Sequence, residues 1–497
     1  MSNAGIIAAG GYLPRYRLSR AAIAQAGGWY DPSLKGMAKS ERAVCDWDED
    51  VITMATEAAR NCLPAAGDPA PTGLFLASTT MPFADRQNSA VVATALALPD
   101  GCQTVDVGHS QRAGTSALLL ALQTAYLGRR LAVAADKRVA RTASHHDPIF
   151  GHGAAAVLCG TENLIAEYLG GHTLTRDFVD HFRKTGERYD YYWEERWIRD
   201  EGYLKIVAEA GQAALAASGI DGGRVDKLVL ASPIRGVREA LTRPLGVPSD
   251  RLADELAAGA GDIGAAHPLL MLANVLEEAR PNQVIMVVGF GQGADVLLFR
   301  TTPAITERKP PLTVRNYLAN GIVETNYLKF LAFHGGLEVQ WGARAEVDTK
   351  TAISAAARHQ TEFGTLLAGR CTSCGTLQFP RAKICVSCRT VATQEPYRLA
   401  DSEAKVASFT EDWLAYTPNP PGVYGMLEFT EGVKMMAQFT SDAAGRTKVG
   451  SRMRMVLRIK DVDRIRAYHR YFWKAQPRDS AGGFTPAPTG TRHSAGD

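Results

Sequence analysis

Long apolar runs are missing from this 497-residue sequence, and no stretch approaches the ~18 consecutive apolar residues of a membrane-spanning helix. The opening residues, MSNAGIIAAGGYLPRYRLSR, lack a basic segment followed by a long apolar core, so no secretory leader is predicted. A cytoplasmic protein without a membrane partner is the expectation. Net charge is nearly absent as well: 55 Lys and Arg oppose 52 Asp and Glu, leaving +3. No uniform cationic field exists to draw in nucleic acid, and none is expected as a partner. Cysteine is scarce, with eight in all, which excludes a disulfide-stapled scaffold. What remains is a chain that is 46% hydrophobic and long enough for about three globular domains.

The cysteines that are present fall into two groups. Cys45, Cys62, Cys102 and Cys159 are scattered, whereas Cys371, Cys374, Cys385 and Cys388 form two C-x-x-C knuckles. Two such knuckles place four thiolates at the corners of a tetrahedron suited to zinc, and glycine follows the first one where the chain turns. Four sulfur ligands close the site, so the zinc is expected to be structural.

Over residues 1–165 apolar runs alternate with amphipathic segments. Strands are predicted at 72–79, 103–108 and 130–137, and helices at 89–98 and 113–127. Residues 166–305 repeat the pattern, with a helix over 203–219, a strand over 226–233, a helix over 267–279 and two strands around a glycine turn within 282–299. The segments AGTSALLLALQTAYLGRRLAVAADK and IGAAHPLLMLANVLEEARPNQVIMVVGFG keep the same order of glycine, small residues, LL-rich helix, polar loop and valine-rich strand. That register points to a duplication with two equivalent helices in the middle. Residues 306–365 read as a helical connector and 366–392 as the zinc ribbon. Short strands divided by Gly, Pro and Asp over 393–475 read as a small barrel of the OB type. The stretch 476–497 is rich in Pro, Gly, Ser and Thr, and is predicted to be disordered.

The motifs DVGHSQRAGTSAL, GDIGAA, VVGFGQGA and DWDEDVITMA, in that fold context, resemble the thiolase superfamily, and above all hydroxymethylglutaryl-CoA synthase and ketoacyl-ACP synthase III. The ribbon and barrel resemble the zinc-ribbon/OB module that accompanies thiolase-like proteins acting on acyl-CoA. The resemblance implies an α/β fold, namely a duplicated five-layered α/β/α/β/α core followed by a zinc ribbon and an all-β OB barrel. It also implies a homodimer and a CoA thioester meeting the start of the first buried helix. Three family positions have changed here. The nucleophilic cysteine falls on Gln111, the histidine of the H-S-P segment on Ala231, and the asparagine of G-N-T-x-A-A on Asp262.

A glutamine amide is not acylated in ordinary turnover, and the neighbouring Ser110 has no activating base fixed by the sequence. Backbone N–H groups near Gln111 and Gly291 remain expected to hold a thioester enolate. The resemblance therefore points to a CoA-dependent lyase that performs aldol or retro-aldol chemistry on a 3-hydroxyacyl-CoA. Asp262 is read as the base or, equally, as a helix cap. His267 and His109 are candidate acid/base or pocket residues, and Tyr192 a candidate proton donor. Arg235 and Arg238 are candidate phosphate partners for CoA. The histidines of SHHDPIFGHGAAA are expected to form a hydrogen-bonded structural cluster. Three alternatives stay open: a hydroxymethylglutaryl-CoA synthase-like condensation on one of the scattered cysteines, decarboxylation of a malonyl-type thioester, and a non-catalytic CoA-binding scaffold for an active thiolase-like partner.

Overall fold

A computed structural model describes residues 4–340, 352–391, 394–463 and 466–478. The chain divides into two units, one of 1–45, 50–93 and 98–337, the other of 46–49, 94–97 and 338–497.

In the first unit, apolar runs with no polar alternation become strands buried on both faces. Gly5–Tyr12, Arg130–Lys137, His152–Gly160 and Val284–Phe290 are buried along all or nearly all of their length. They join a nine-stranded sheet whose order is Lys227–Leu230, Val284–Phe290, Gly293–Thr301, Ala166–Thr175, Gly5–Tyr12, His152–Gly160, Arg130–Lys137, Gly73–Ala77 and Gln103–Val107. The sheet carries the duplication. Counted within the first half, the strand order is 3-2-4-5-1; within the second it is 2-4-5-1, with a single bridge from Leu228 to Leu252 where strand 3 would lie. Within the sheet the halves join through two residue pairs, Gly5 with Glu167 and Ile6 with Ala166, and a separate bridge links Phe150 to Asp262.

The helices Ala113–Gln123 and His267–Glu278 pack against each other and against strands of both halves, which makes them the middle layer. Their approach is close. A Cβ on Gly114 would stand 2.1 Å from the carbonyl oxygen of Ala265, so a side chain there is excluded. Val51–Cys62 covers the first half and Ala208–Ser218 the second, completing five layers. Asp50 and Thr53 cap Val51–Cys62 reciprocally, a local signal present in the sequence. The stretch read as the beginning of a connector is built into this unit. Ile322–Glu324 pairs with Tyr16–Ser19, and Val314–Ala319 brings Tyr317 edge-on to Tyr12.

The second unit contains the ribbon strands Leu367–Cys371, Leu377–Gln378 and Gln394–Arg398, then a five-stranded sheet. Its members Gly422–Phe429 and Lys434–Gln438 alternate buried and exposed residues, the period of a strand with one wet face. A bridge between Phe439 and Ala475 brings the first and last members of that sheet together, as a barrel requires. The final strand, Tyr468–Pro477, runs past the point at which the tail was expected to start, and the remainder, 479–497, lies outside the described residues. Among the described residues no helix is long and apolar enough to cross a membrane.

The segment SHHDPIFGHGAAA is a hydrogen-bonded cluster. Asp147 binds Arg42 and Tyr327, and His152 accepts from the Cys45 N–H at Nδ1 while Nε2 bonds the Arg138 carbonyl. His334 stands edge-on to His152 at 5.2 Å and donates from Nε2 to the Cys45 carbonyl. Burial holds both imidazoles well below their ordinary pKa, so they fold neutral. In the unfolded chain each takes up a proton as pH drops below about 6.5, and the stability it contributes fades with falling pH. Asp46 and Glu277, both pushed up to about 7 chiefly by burial, act in the opposite sense, so the test is differential. His334→Gln keeps a donor for the Cys45 carbonyl. Between pH 7 and 5 its denaturation free energy should fall less steeply than the parent's, by up to about 1.4 kcal/mol per pH unit. Parallel curves would show that His334 does not titrate on unfolding.

Candidate active site

The first-half strand Gln103–Val107 ends in a turn that delivers residues 109–112 to the start of the helix Ala113–Gln123. His109 takes a left-handed φ of 70° and is exposed. Ser110 Oγ donates to the Gly291 carbonyl at 2.9 Å and accepts from the Arg112 N–H at 3.3 Å, so its hydroxyl staples the turn. Gly291 corrects an expectation. Its N–H donates to the Gly293 carbonyl at 3.0 Å and is not available to an enolate. The residue acts as a spacer: a Cβ on it would lie 3.0 Å from the backbone nitrogens of Gln111 and Arg112. The Gln111 N–H has no acceptor among the described residues.

The Gln111 side chain meets a histidine that the sequence reading overlooked. His181 Nε2 lies 3.3 Å from Gln111 Nε2, and His181 Nδ1 lies 2.8 Å from Asp180 Oδ2. With the proton on Nδ1 shared with Asp180, the lone pair on Nε2 points at the Gln111 amide. Gln111 Oε1 is buried with no partner. Asp180 is itself held by Gln292 Nε2 at 3.3 Å. This dyad rides on a short hairpin in which His181–Phe182 pairs with Tyr191–Tyr192. Strand alternation turns His181 and Tyr192 inward, stacked at 5.1 Å, and leaves Phe182 and Tyr191 exposed. His146 stacks on the other face of Tyr192 at 3.8 Å, and burial lowers its pKa to about 4.

Arg138 ties the hairpin to the helix starts. Its guanidinium, 3% exposed, binds Asp262 at 3.2 Å, Asp190 at 3.1 Å and the Tyr192 hydroxyl. Burial would lower its pKa, yet Tyr192, Asp262, Asp190 and Asp136 together raise it, so the cation is permanent. Tyr192 is raised above its ordinary value by burial, against the pull of Arg138. Asp190 also binds Arg183 at 2.9 Å, and Arg183 reaches the Thr79 carbonyl. Burial opposes the charged form of Asp190, but Arg138, then His181 and Arg183, outweigh it and hold the carboxyl below the usual range.

Asp262 does what a cap does. Oδ1 accepts from the Gly264 N–H at 3.0 Å and Oδ2 binds Arg138. His267 accepts from the Ile263 N–H at Nδ1 (3.1 Å) and donates from Nε2 to the Glu255 carbonyl (2.7 Å). Both of its nitrogens are committed to backbone, which leaves it no proton to exchange with a substrate. Arg238 is likewise spent on the carbonyls of Leu230 and Ala253 and on Glu255, which removes it as a phosphate partner, whereas Arg235 is exposed. Cys45, Cys62 and Cys159 are buried, Cys62 being pushed up to about 12 and Cys159 higher by burial, and Cys102 precedes the strand whose far end leads to Gln111.

The four clustered cysteines converge in the ribbon. Their sulfurs lie within 4.8 Å of one another, with Cys371 and Cys388 at 3.7 Å and Cys374 and Cys385 at 3.6 Å. Tetrahedral Zn–S bonds of about 2.3 Å require sulfurs about 3.8 Å apart, so the set fits zinc. The knuckles are built alike. Gly375 and Arg389 follow the second cysteine of each in left-handed conformation, and Thr376 and Thr390 hydrogen-bond Cys374 and Cys388. The bond to Thr376 pulls the Cys374 thiol down to about 6 and favours the thiolate that binds metal.

Halves ordered 3-2-4-5-1 and 2-4-5-1 around two middle helices define a thiolase-fold protein. Solved structures agree on the fold. A hydroxymethylglutaryl-CoA synthase complexed with CoA superposes with a TM-score of 0.60 at 18% identity, covering 70% of this chain and 95% of the other. The 3-oxoacyl-(acyl carrier protein) synthase III of Pseudomonas aeruginosa gives 0.55 at 20%, covering 61% and 98%. In sequence, the chain is 31% identical over 299 residues to the hydroxymethylglutaryl-CoA synthase of Caldivirga maquilingensis, covering 58% of this chain and 85% of that protein. The Methanocella arvoryzae enzyme of the same name is 30% identical over 313 residues, 61% and 89% of the two chains. The chain belongs to the hydroxymethylglutaryl-CoA synthase family of condensing enzymes. Residues 364–391 match the ChsH2 rubredoxin-like zinc ribbon domain, and 397–458 the ChsH2 C-terminal OB-fold domain.

Proposed function

We propose that this protein keeps the aldol-type carbon–carbon step of a condensing enzyme and dispenses with the acyl-enzyme. The substrate is an acyl-CoA, and His181, oriented by Asp180, is the base. The observation that carries the reading is the Nε2 lone pair of His181 aimed at the Gln111 amide, at the position where the family resemblance puts the nucleophile. In the cleavage direction, Nε2 takes the proton of the 3-hydroxyl of a 3-hydroxyacyl-CoA. The O–H pair becomes the new carbonyl π bond, the Cα–Cβ bond breaks, and its electrons move into the thioester enolate. An aldehyde or ketone leaves. The imidazolium returns its proton to Cα, giving the shortened acyl-CoA and a neutral His181. The unpaired Gln111 N–H is placed to hydrogen-bond the enolate oxygen, and the orphaned Oε1 to accept from a substrate donor. Condensation is the same path reversed.

The likeness to hydroxymethylglutaryl-CoA synthases favours a second reading, condensation of two thioesters through an acyl-enzyme on a residue other than Gln111. Alkylation separates the two. Modifying accessible non-zinc thiols is expected to leave turnover within about twofold of the parent, and loss of activity that tracks modification of Cys102 would favour the acyl-enzyme. The primary test incubates the protein with 3-hydroxyacyl-CoA and malonyl-type thioesters and follows products by mass spectrometry. Aldehyde or ketone plus a shortened acyl-CoA is the expected result. Carbon dioxide alone would replace the reading with decarboxylation, and binding without turnover would replace it with a scaffold for another thiolase.

The half-exposed edge strand Gln103–Val107 supports a homodimer in which two copies pair along this edge. Sedimentation at micromolar concentration should give twice the 53.5 kDa chain mass. A single species of chain mass would rule the pairing out.

A further inference from the structure

The charged groups around Gln111 are unevenly matched. Three guanidiniums reach the site, and each is already engaged. Arg138 is bound by Asp262 and Asp190, Arg183 by Asp190 and the Thr79 carbonyl, and Arg112 by Asp295 at 3.4 Å, the Leu174 carbonyl at 3.1 Å and Thr175 Oγ1 at 3.2 Å. On the acidic side, Asp180 belongs to His181. The buried Asp136 collects donors from Ser78, Thr79, Thr80 and the Ala265 N–H. Five carboxylates, Asp136, Asp180, Asp190, Asp262 and Asp295, thus face three guanidiniums, Arg112, Arg138 and Arg183, and among the described residues there His181 and the neutral His146 are the imidazoles beside them. A second anion entering this space would meet carboxylates whose countercharges are spent, and burying an unpaired charge beside like charges is costly.

From this charge inventory we infer that the site selects CoA thioesters whose acyl part carries no free carboxylate, and discriminates against malonyl-, succinyl- and 3-hydroxy-3-methylglutaryl-type groups. The inference rests on the reading of this site as the acyl-CoA site, and it sets the protein apart from the synthases named above, whose namesake acyl group is a carboxylate. The neutral fragment fits the surroundings. Tyr192 and His146 stack, Phe150 tilts against both beside Arg138, and His146 folds neutral.

Equilibrium binding tests the inference without any assumption about turnover. Butanoyl-CoA and succinyl-CoA differ in one terminal group, a methyl against a carboxylate. The full-length protein is expected to bind succinyl-CoA at least tenfold more weakly. Asp190→Asn frees one hydrogen-bonding arm of Arg138 and one of Arg183, and should narrow the difference at least threefold. Equal affinities for the two esters in the parent would overturn the selection while leaving the acyl-CoA reading in place. Absence of binding by either would bring down that reading and this inference with it.

Discussion

Removing the His181 imidazole is expected to abolish most of the carbon–carbon chemistry. His181→Ala should lower turnover of the 3-hydroxyacyl-CoA by about 10²–10⁴-fold, the range a positioned general base contributes. The variant should still bind the ester, because the helix start and Gln111 are untouched. Asp180→Asn is the sharper probe. It keeps the shape of the dyad but can present an N–H to Nδ1, which moves the histidine proton to Nε2 and blocks the lone pair. Turnover should fall nearly as far. Asp262→Asn keeps an acceptor for the Gly264 N–H and should cost no more than about tenfold. If the Asp262 variant loses activity and folded His181→Ala does not, the base is Asp262 and the dyad is structural.

The second large effect belongs to the ribbon. Chelation of zinc, or Cys374→Ser, is expected to unfold it, because a structural zinc site contributes on the order of 10 kcal/mol of folding free energy to modules of this size. Little else holds the segment: Cys374 and Cys388 are exposed, and Leu377–Gln378 is a two-residue strand. The parent should carry one zinc per chain by elemental analysis. The variant should lose both the metal and the lower-temperature melting transition, and its three remaining cysteines should react quickly with thiol reagents. A variant with the parent's metal content and melting curve would show that the knuckles stand without the fourth ligand.

Local chemistry explains what the sequence made legible. The knuckles could be read because all four ligands sit within eighteen residues and the turn after each pair demands a left-handed position. The buried strands could be read because a strand covered on both faces needs an unbroken apolar run, as in 130–137 and 284–290. Gln111 followed from register with the motif around it. His181 could not be found this way. The run RDFVDHFRK carries no signal until the hairpin folds over and the sheet carries Gln111 to it from seventy residues away. Arg138 was hidden for the same reason, since its partners Asp190 and Asp262 come from two separate stretches. Gly291 was misjudged because a glycine turn with an N–H to offer looks the same in sequence as one whose N–H is already closed on Gly293. His267 was a candidate acid/base, yet a backbone donor four residues back and a carbonyl twelve residues back fix both nitrogens.

The missing third strand of the second half bears on how far the protein can assemble. A strictly repeated sheet would offer the same bare margin at both extremities, and molecules could chain onto one another without limit. Here one extremity ends at Lys227–Leu230, mostly buried and bridged by Leu252, and the other at Gln103–Val107, half-exposed. With a single margin of the nine-stranded sheet open, the proposed pairing would let a molecule add one neighbour, and an antiparallel match about a two-fold axis would consume both margins at once. Under the edge pairing proposed above, the imperfect copy would turn a surface capable of polymerising into one whose growth stops after the first encounter.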